Sequence, residues 1–475
     1  MARVPSETPP AVVCAENIAL LHALHTVPML PSKNDLGPVS RRKDGYLLSF
    51  EQERNLAGAL AFLSGISDNA SHVTAVCIEE DRGTESLRVL LAINKKTPND
   101  GDAVLQTLKS GLESVLGPLV RAGLALDDGG TVAGQVTEVV FKAIVTMCQK
   151  RILCRLRLGK NFRNRPRQPF KSVLQQAVDA LKRHHGTHGT KGERGTKALA
   201  AVDIPRIIAT ARTVMGLVDA WRQHQVPARL EELIHGVCRL KDMPGFCRVI
   251  NDIPNRDMPP EARKNLVNIV QKVARYRGIA RFLYRMARAV PVVRRMSVVL
   301  VKLAPSAFKK TLAGEGYAPD ISSRIVQTCG PAGYSHQQLD NVYRSLQTTR
   351  AKATADFQDL ARKVLKDAKI HAEIQLLAYC EQQAKSTGKT RSMPRVLRSN
   401  KDTCFLCNTF IKMRGNMHTS RYHGRLYPGW RLPATLSASV HHRFNEVLSD
   451  QIRSSLATLQ TRKKKTQRNV RRLLL

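Results

Sequence analysis

Acidic residues are scarce in this chain: 38 Asp and Glu face 76 Lys and Arg in 475 residues, a formal net charge of +38 with a pI near 10.4. Solubility alone does not ask for so large an excess, which predicts attraction to polyanions: nucleic acid, or an acidic membrane surface. Aromatic residues are sparse too, at 5%, and this argues against a broad stacking platform for unpaired bases. No run approaches the about eighteen apolar residues of a membrane span. The N-terminal stretch holds Glu7, Glu16 and several prolines, with no basic start leading into an apolar run, so no secretory signal is read. The cysteines Cys14, Cys77, Cys148, Cys154, Cys238, Cys247, Cys329 and Cys380 lack the dense spacing of a disulfide framework. The expected setting is a reduced intracellular compartment, nuclear or cytoplasmic. What remains is ordinary: 43% hydrophobic and 24% charged residues, long enough for two or three domains and expected to be mixed but helix-rich.

One pair of cysteines breaks the scatter. Cys404 and Cys407 stand in K-D-T-C-F-L-C, 33 residues after His371 in I-H-A-E-I-Q-L-L, with Glu373 two residues beyond the histidine. Three N/S ligands leave the fourth tetrahedral position of a zinc ion open to water, and a carboxylate that is not a ligand can then move protons. His371, Cys404 and Cys407 are therefore the candidate ligands and Glu373 the candidate catalytic proton carrier. A fourth ligand from His418 or His423 would instead close the site and abolish hydrolysis.

Those residues resemble the signature of the cytidine deaminase-like superfamily, H-x-E followed by P-C-x-x-C on two helix starts. The words I-H-A-E-I-Q-L-L, K-D-T-C-F-L-C and H-G-R-L-Y-P-G-W-R-L-P are similar to a branch of it abundant in fungi. Thr403 replaces the usual proline, so the backbone entering the second ligand helix is less rigidly set. The resemblance implies a zinc-dependent nucleobase deaminase and an α/β fold, a three-layer core with a mixed sheet. In that core a helix and a two-strand hairpin precede the H-x-E helix. It also implies a place near the substrate for Asn94, at the end of the second strand, while His423, Tyr427 and Trp430 follow the ligand helix closely enough to contact a base. The alternative reading is a catalytically inactive nucleic-acid-binding protein with a structural zinc.

No hairpin stands just before His371, only a helical run over 357–364. Helical spacing of Leu56, Ala59, Leu60 and Leu63, then two strand-like runs at His72 to Ile78 and Leu87 to Ile93, place the missing part of the core at 50–98. The expected organisation is a partly ordered lead-in over 1–49, the first core part at 50–98, and a large, mostly α-helical basic insertion at 99–350. The zinc-motif part follows at 351–445 and a basic tail at 446–475. The basic, glycine-rich stretch 159–198 reads as a flexible linker, with His184, His185 and His188 in a solvated loop. Between Arg263 and Lys310 there is no acidic residue, and Arg277, Arg281, Arg285 and Arg288 recur every three or four positions on one helix face. Such a stripe favours contact with phosphates, with a membrane surface as the less favoured partner.

Overall fold

The computed structural model describes residues 8–69, 71–122, 131–158, 168–187, 203–311, 314, 316–330, 334–386 and 391–473. They form two compact units: Met1–Phe62, Ala70–Gln106 and Ser297–Leu475 in the first, Leu63–Asn69 and Thr107–Met296 in the second.

The first unit opens with helix α1 (Pro10–Leu24), which enters through Pro10 at its first turn and is apolar on nearly every side. A helix of that kind has to be buried, and Ile18, Ala19, Leu20 and Leu21 are fully so. Strand β1 (Ser32–Lys33) and helix α2 (Phe50–Leu63) follow, then strands β2 (Thr74–Asp81) and β3 (Ser86–Ile93). The last two form an antiparallel hairpin with Thr74 opposite Ile93 and Asp81 opposite Ser86. Asp81 makes its turn: the carboxylate accepts the N–H groups of Gly83 and Thr84 at 3.1 and 3.2 Å. Helix α3 (Asp102–Ala122) runs across the boundary into the second unit.

The second unit is helical: α4 (Thr131–Arg155), α5 (Phe170–Thr187), α6 (Ile204–Gln223), α7 (Pro227–Asp242), α8 (Phe246–Asp252) and α9 (Pro260–Ala289). Helix α9 packs against α4, α5, α7 and α8. Part of the stretch expected to be a linker is α5, where Phe170, Val173, Leu174, Ala177, Val178 and Leu181 recur at helical spacing and are buried. The flanking arginines obscured that stripe; residues 159–167 and 188–198, with His188, lie outside the described residues.

The chain then returns to the first unit with β4 (Met296–Leu300), α10 (Ile321–Cys329), α11 (His336–Ser345), α12 (Arg350–Asp367), α13 (Ala372–Ser386), β5 (Arg391–Ser392), β6 (Leu397–Ser399), α14 (Phe405–Arg414), β7 (Arg421–Tyr422) and α15 (Ala438–Leu473). Five strands make one sheet in the order β4-β3-β2-β5, with β6 also paired to β2, Cys77 opposite Leu397. The hairpin at 74–93 thus shares a sheet with residues more than three hundred positions later, and α13 packs on β2 and β3. The architecture is a mixture of helices and sheet, compatible with the α/β expectation.

Three expected boundaries move. Residues 10–48 are no loose lead-in: α1 lies in the core, and Arg395, 1% exposed, binds Glu53 and the carbonyls of Arg42 and Leu48 at 2.6–2.7 Å, stapling the 42–48 segment down. Residues 297–350 are no part of a separate insertion, because Val301 donates to the Leu91 carbonyl and Ile321, Ile325, Leu339 and Val342 join the same apolar cluster as α13 and α14. The start of the supposed tail, 446–459, is core helix, with Leu448, Ile452 and Leu456 fully buried. Among the described residues no helix is long and apolar enough to cross a membrane.

Candidate metal centre

Two backbone devices place the histidine. Residues 369–370 lie between 95 and 430 as a short extended piece: Lys95 and Ile370 exchange N–H···O bonds of 3.1 and 2.8 Å, Lys369 donates to Gly429, and Arg431 donates to Lys369. Gln375, fully buried, then donates to both Ile93 and Ile370 carbonyls at 2.6 and 2.9 Å. Helix α13 starts immediately after, and its first free N–H, on Ala372, is taken by the side-chain carbonyl of Asn94 at 2.8 Å. His371 is therefore outside the regular helix. This is how two residues only two apart, which a regular helix would send to different sides, both reach one centre.

On the other side Cys404 is the N-cap of α14. Its sulfur accepts the Cys407 N–H at 3.4 Å, in the position a serine or aspartate oxygen takes in ordinary capping. Both sulfurs sit at a helix N-terminus, whose unpaired N–H groups favour thiolate. Gly415, at φ +67°, ends the helix in a left-handed turn.

The three ligand atoms converge. His371 Nδ1 lies 3.7 Å from Cys404 Sγ and 3.4 Å from Cys407 Sγ, and all three atoms fall within 4.8 Å of one another. A tetrahedral zinc with bonds of about 2.0 Å to nitrogen and 2.3 Å to sulfur would hold N and S roughly 3.5 Å apart, which both nitrogen–sulfur distances fit. Burial resists charge at all these groups. Against it, hydrogen bonding from Cys407 and the neighbouring imidazole pull Cys404 well below the ordinary thiol range, while Cys407, facing that thiolate, is pushed well above it. A cation between the sulfurs would favour the thiolate form of both. Glu373 is 3% exposed and places Oε2 3.8 Å from Cys407 Sγ. Burial raises its carboxyl above the usual range, with the His371 imidazole acting in the opposite direction.

The expected substrate contacts separate. Asn94 lies at the start of α13, its carbonyl oxygen committed to the helix cap; its Nδ2 has no hydrogen bond among the described residues. His423 and Tyr427 form an edge-to-face pair 5.5 Å apart on the loop after α14, with Tyr427 44% exposed. His423 Nδ1 accepts the Arg425 N–H at 3.1 Å, so in the neutral ring Nε2 carries the proton. Trp430 is no stacking surface. It is completely buried, lies 5.3 Å from the Phe444 ring and 6.4 Å from that of Phe410, and donates its indole N–H to Cys407 Sγ at 3.2 Å. Sequence reasoning missed that role, although a buried indole N–H has to find an acceptor. His418 is also buried, edge-on to Phe50 at 5.7 Å. Neither His418 nor His423 joins the metal-ligating group.

The N-terminal segment supplies a wall. Strand β1 pairs with β7, and Leu426 donates to Thr26. Gly424, at φ +68°, lies so close to the Met29 carbonyl that a Cβ would meet its oxygen at 1.7 Å, which leaves glycine no substitute.

An N–H bond to a ligand sulfur orients it and tunes its donor strength. Trp430→Phe keeps the ring in the core and deletes the bond, so zinc affinity should fall about 10- to 100-fold, the range for losing such an outer partner. Competition with a chromophoric chelator measures it; unchanged affinity would show that the sulfur does not need the indole.

A His/Cys/Cys group that could hold a metal ion, with a buried carboxylate beside it, is thus carried on two helix starts. Residues 370–434 match the model of a family described as OTT_1508_deam-like deaminase. No curated protein and no solved structure matches the chain. The matched segment holds all three candidate ligand residues, Glu373 and Trp430, whereas the hairpin at 74–93 lies outside it.

Proposed function

We propose that this protein is a zinc-dependent hydrolytic deaminase acting on a nucleobase, in a nucleotide or in nucleic acid, and related to the cytidine deaminase-like branch its motif words resemble. The observation that carries the reading is the convergence of His371, Cys404 and Cys407 beside Glu373 inside the segment that matches a deaminase family. Held by these residues, zinc would supply the Lewis acid that makes water nucleophilic at neutral pH. Glu373 accepts the proton of the attacking water. It hands protons to the ring nitrogen and to the amine, which departs as ammonia from C4 of a cytosine or C6 of an adenine. Burial, which raises the Glu373 carboxyl above the usual range, favours its holding the proton between the two transfers. To Asn94 Nδ2, His423 and Tyr427 we assign the holding of the base. A reduced compartment, nuclear or cytoplasmic, keeps the thiolate ligands available.

A structural zinc would have four protein ligands, and the described residues bring together three. That favours the hydrolytic reading over a zinc-stapled binding protein. The test is ammonia release by the zinc-loaded full chain from cytidine and adenosine nucleotides and from RNA and DNA, with uracil or inosine formed in equal amount. No ammonia from any of them at full zinc occupancy would leave the structural reading standing.

Metal content is checked separately. Elemental analysis should find one zinc per chain, and the Cys404→Ser/Cys407→Ser double variant should lose it together with a cooperative thermal transition at the wild-type temperature. Undiminished zinc in that variant would overturn the ligand assignment.

A further inference from the structure

The second unit carries a surface that the metal centre does not use. Over residues 107–296 the sequence has 35 Lys and Arg against 14 Asp and Glu, a net +21. Helix α9 concentrates the excess. After Glu261 in its first turn it has no acidic residue, and Arg281, Arg285 and Arg288 are exposed with no ion pair among the described residues. Its other side is spent on the core, where Tyr276, Ile279, Ala280 and Leu283 are buried. Arg277 is half-buried and turned toward α7. There the positive field, after burial, holds the His235 imidazole below its ordinary pKa, with Arg239 contributing. Arg239 and Lys241 extend the exposed charge along the last turn of α7, and the one acid beside them, Asp242, is bonded to Lys241 at 3.1 Å.

Like charges three and four residues apart cost a helix a few tenths of a kcal/mol each, so the stripe works against the fold that carries it. We propose that this face, Arg277, Arg281, Arg285 and Arg288 on α9 with Arg239 and Lys241 on α7, binds the phosphate backbone of a double-helical nucleic acid without reading its bases. From Arg277 to Arg288 the helix advances about 17 Å at 1.5 Å per residue, enough to follow several successive phosphates of a duplex. An amphipathic helix on a membrane needs apolar side chains free to insert, and none of the exposed large hydrophobic residues lies on α9. A single-strand groove needs exposed aromatic rings; Tyr276 and Tyr284 are buried and Phe282 is half-buried.

The test is fluorescence anisotropy of the zinc-loaded full chain with labelled duplex RNA, duplex DNA and a matching single strand, beside flotation with phosphatidylserine vesicles. Duplexes should bind with little dependence on sequence and with a steep fall in affinity as salt rises. Arg281→Gln/Arg285→Gln/Arg288→Gln removes three charges while keeping good helix formers. It should lower duplex affinity by at least about tenfold and flatten the log–log salt slope by about 2.7, at about 0.9 for each phosphate that is no longer neutralised, with zinc content and melting temperature unchanged. Equal duplex affinity in the triple variant would overturn the proposal, as would preference for the single strand or for vesicles. Binding and ammonia release are read independently, so failure of this proposal and failure of the deaminase reading are distinguishable.

Discussion

Glu373→Gln is expected to keep zinc and fold and to lose deamination by about 10²- to 10⁴-fold, the range for removing a general acid-base group. Glutamine matches glutamate in size, so the cavity around it need not adjust. What it cannot do is take a proton from water and return it. Among the described residues the group that could hold a metal is His371, Cys404 and Cys407, without Glu373, so a variant at 373 should titrate with the same metal stoichiometry. Melting temperature should hold or rise, because a buried carboxyl whose charge burial disfavours is replaced by a neutral amide. The discriminating measurements are zinc content and turnover on the same preparation. Zinc lost in proportion to activity would make Glu373 a ligand or a structural support, and near wild-type turnover would remove it from the chemistry altogether.

The residues that come together as a candidate metal group were more legible in the sequence than the architecture around them. The group His371, Cys404 and Cys407, with Glu373 beside it, could be read because a metal-binding motif restricts residue type and order, and such restrictions survive as spacing. The hairpin was legible for another reason: V-T-A-V-C-I and L-R-V-L-L-A-I are apolar runs of strand length on either side of a polar turn, and the strands formed at Thr74–Asp81 and Ser86–Ile93. Helix α1 gave no periodic signal because it is covered on most sides, which erases amphipathic contrast. In α5 the contrast was present but lay between two basic stretches. Trp430 was misread because a tryptophan near a binding loop and a tryptophan under it look alike until the backbone bends are known. Only the fold shows that its N–H meets Cys407 and its ring meets Phe444.

That packing on Phe444 gives α15 a larger role than its charge suggests. Phe444, Leu448, Ile452 and Leu456 are spaced four apart and are all fully buried, and α15 packs along α1 with Asn445 donating to the Pro10 carbonyl at 2.8 Å. A chain ending at Ser437 would empty all four sites. Truncating one buried Leu, Ile or Phe to alanine costs about 2–5 kcal/mol, so removing four with their backbone is comparable to or larger than the roughly 5–15 kcal/mol of a whole domain. The loss also opens one side of Trp430, and through it the sulfur of Cys407. The Ser437 truncation is therefore expected to be insoluble or molten, with exposed apolar surface and weakened zinc binding. A chain ending at Gln460 keeps every one of those buried side chains and removes only the basic end, so it should retain the wild-type melting temperature and metal content. Dye binding, circular dichroism and zinc analysis on the two truncations decide the matter. A Ser437 chain that stays soluble, cooperative and zinc-loaded would show that α15 is an accessory of the fold and no part of its core.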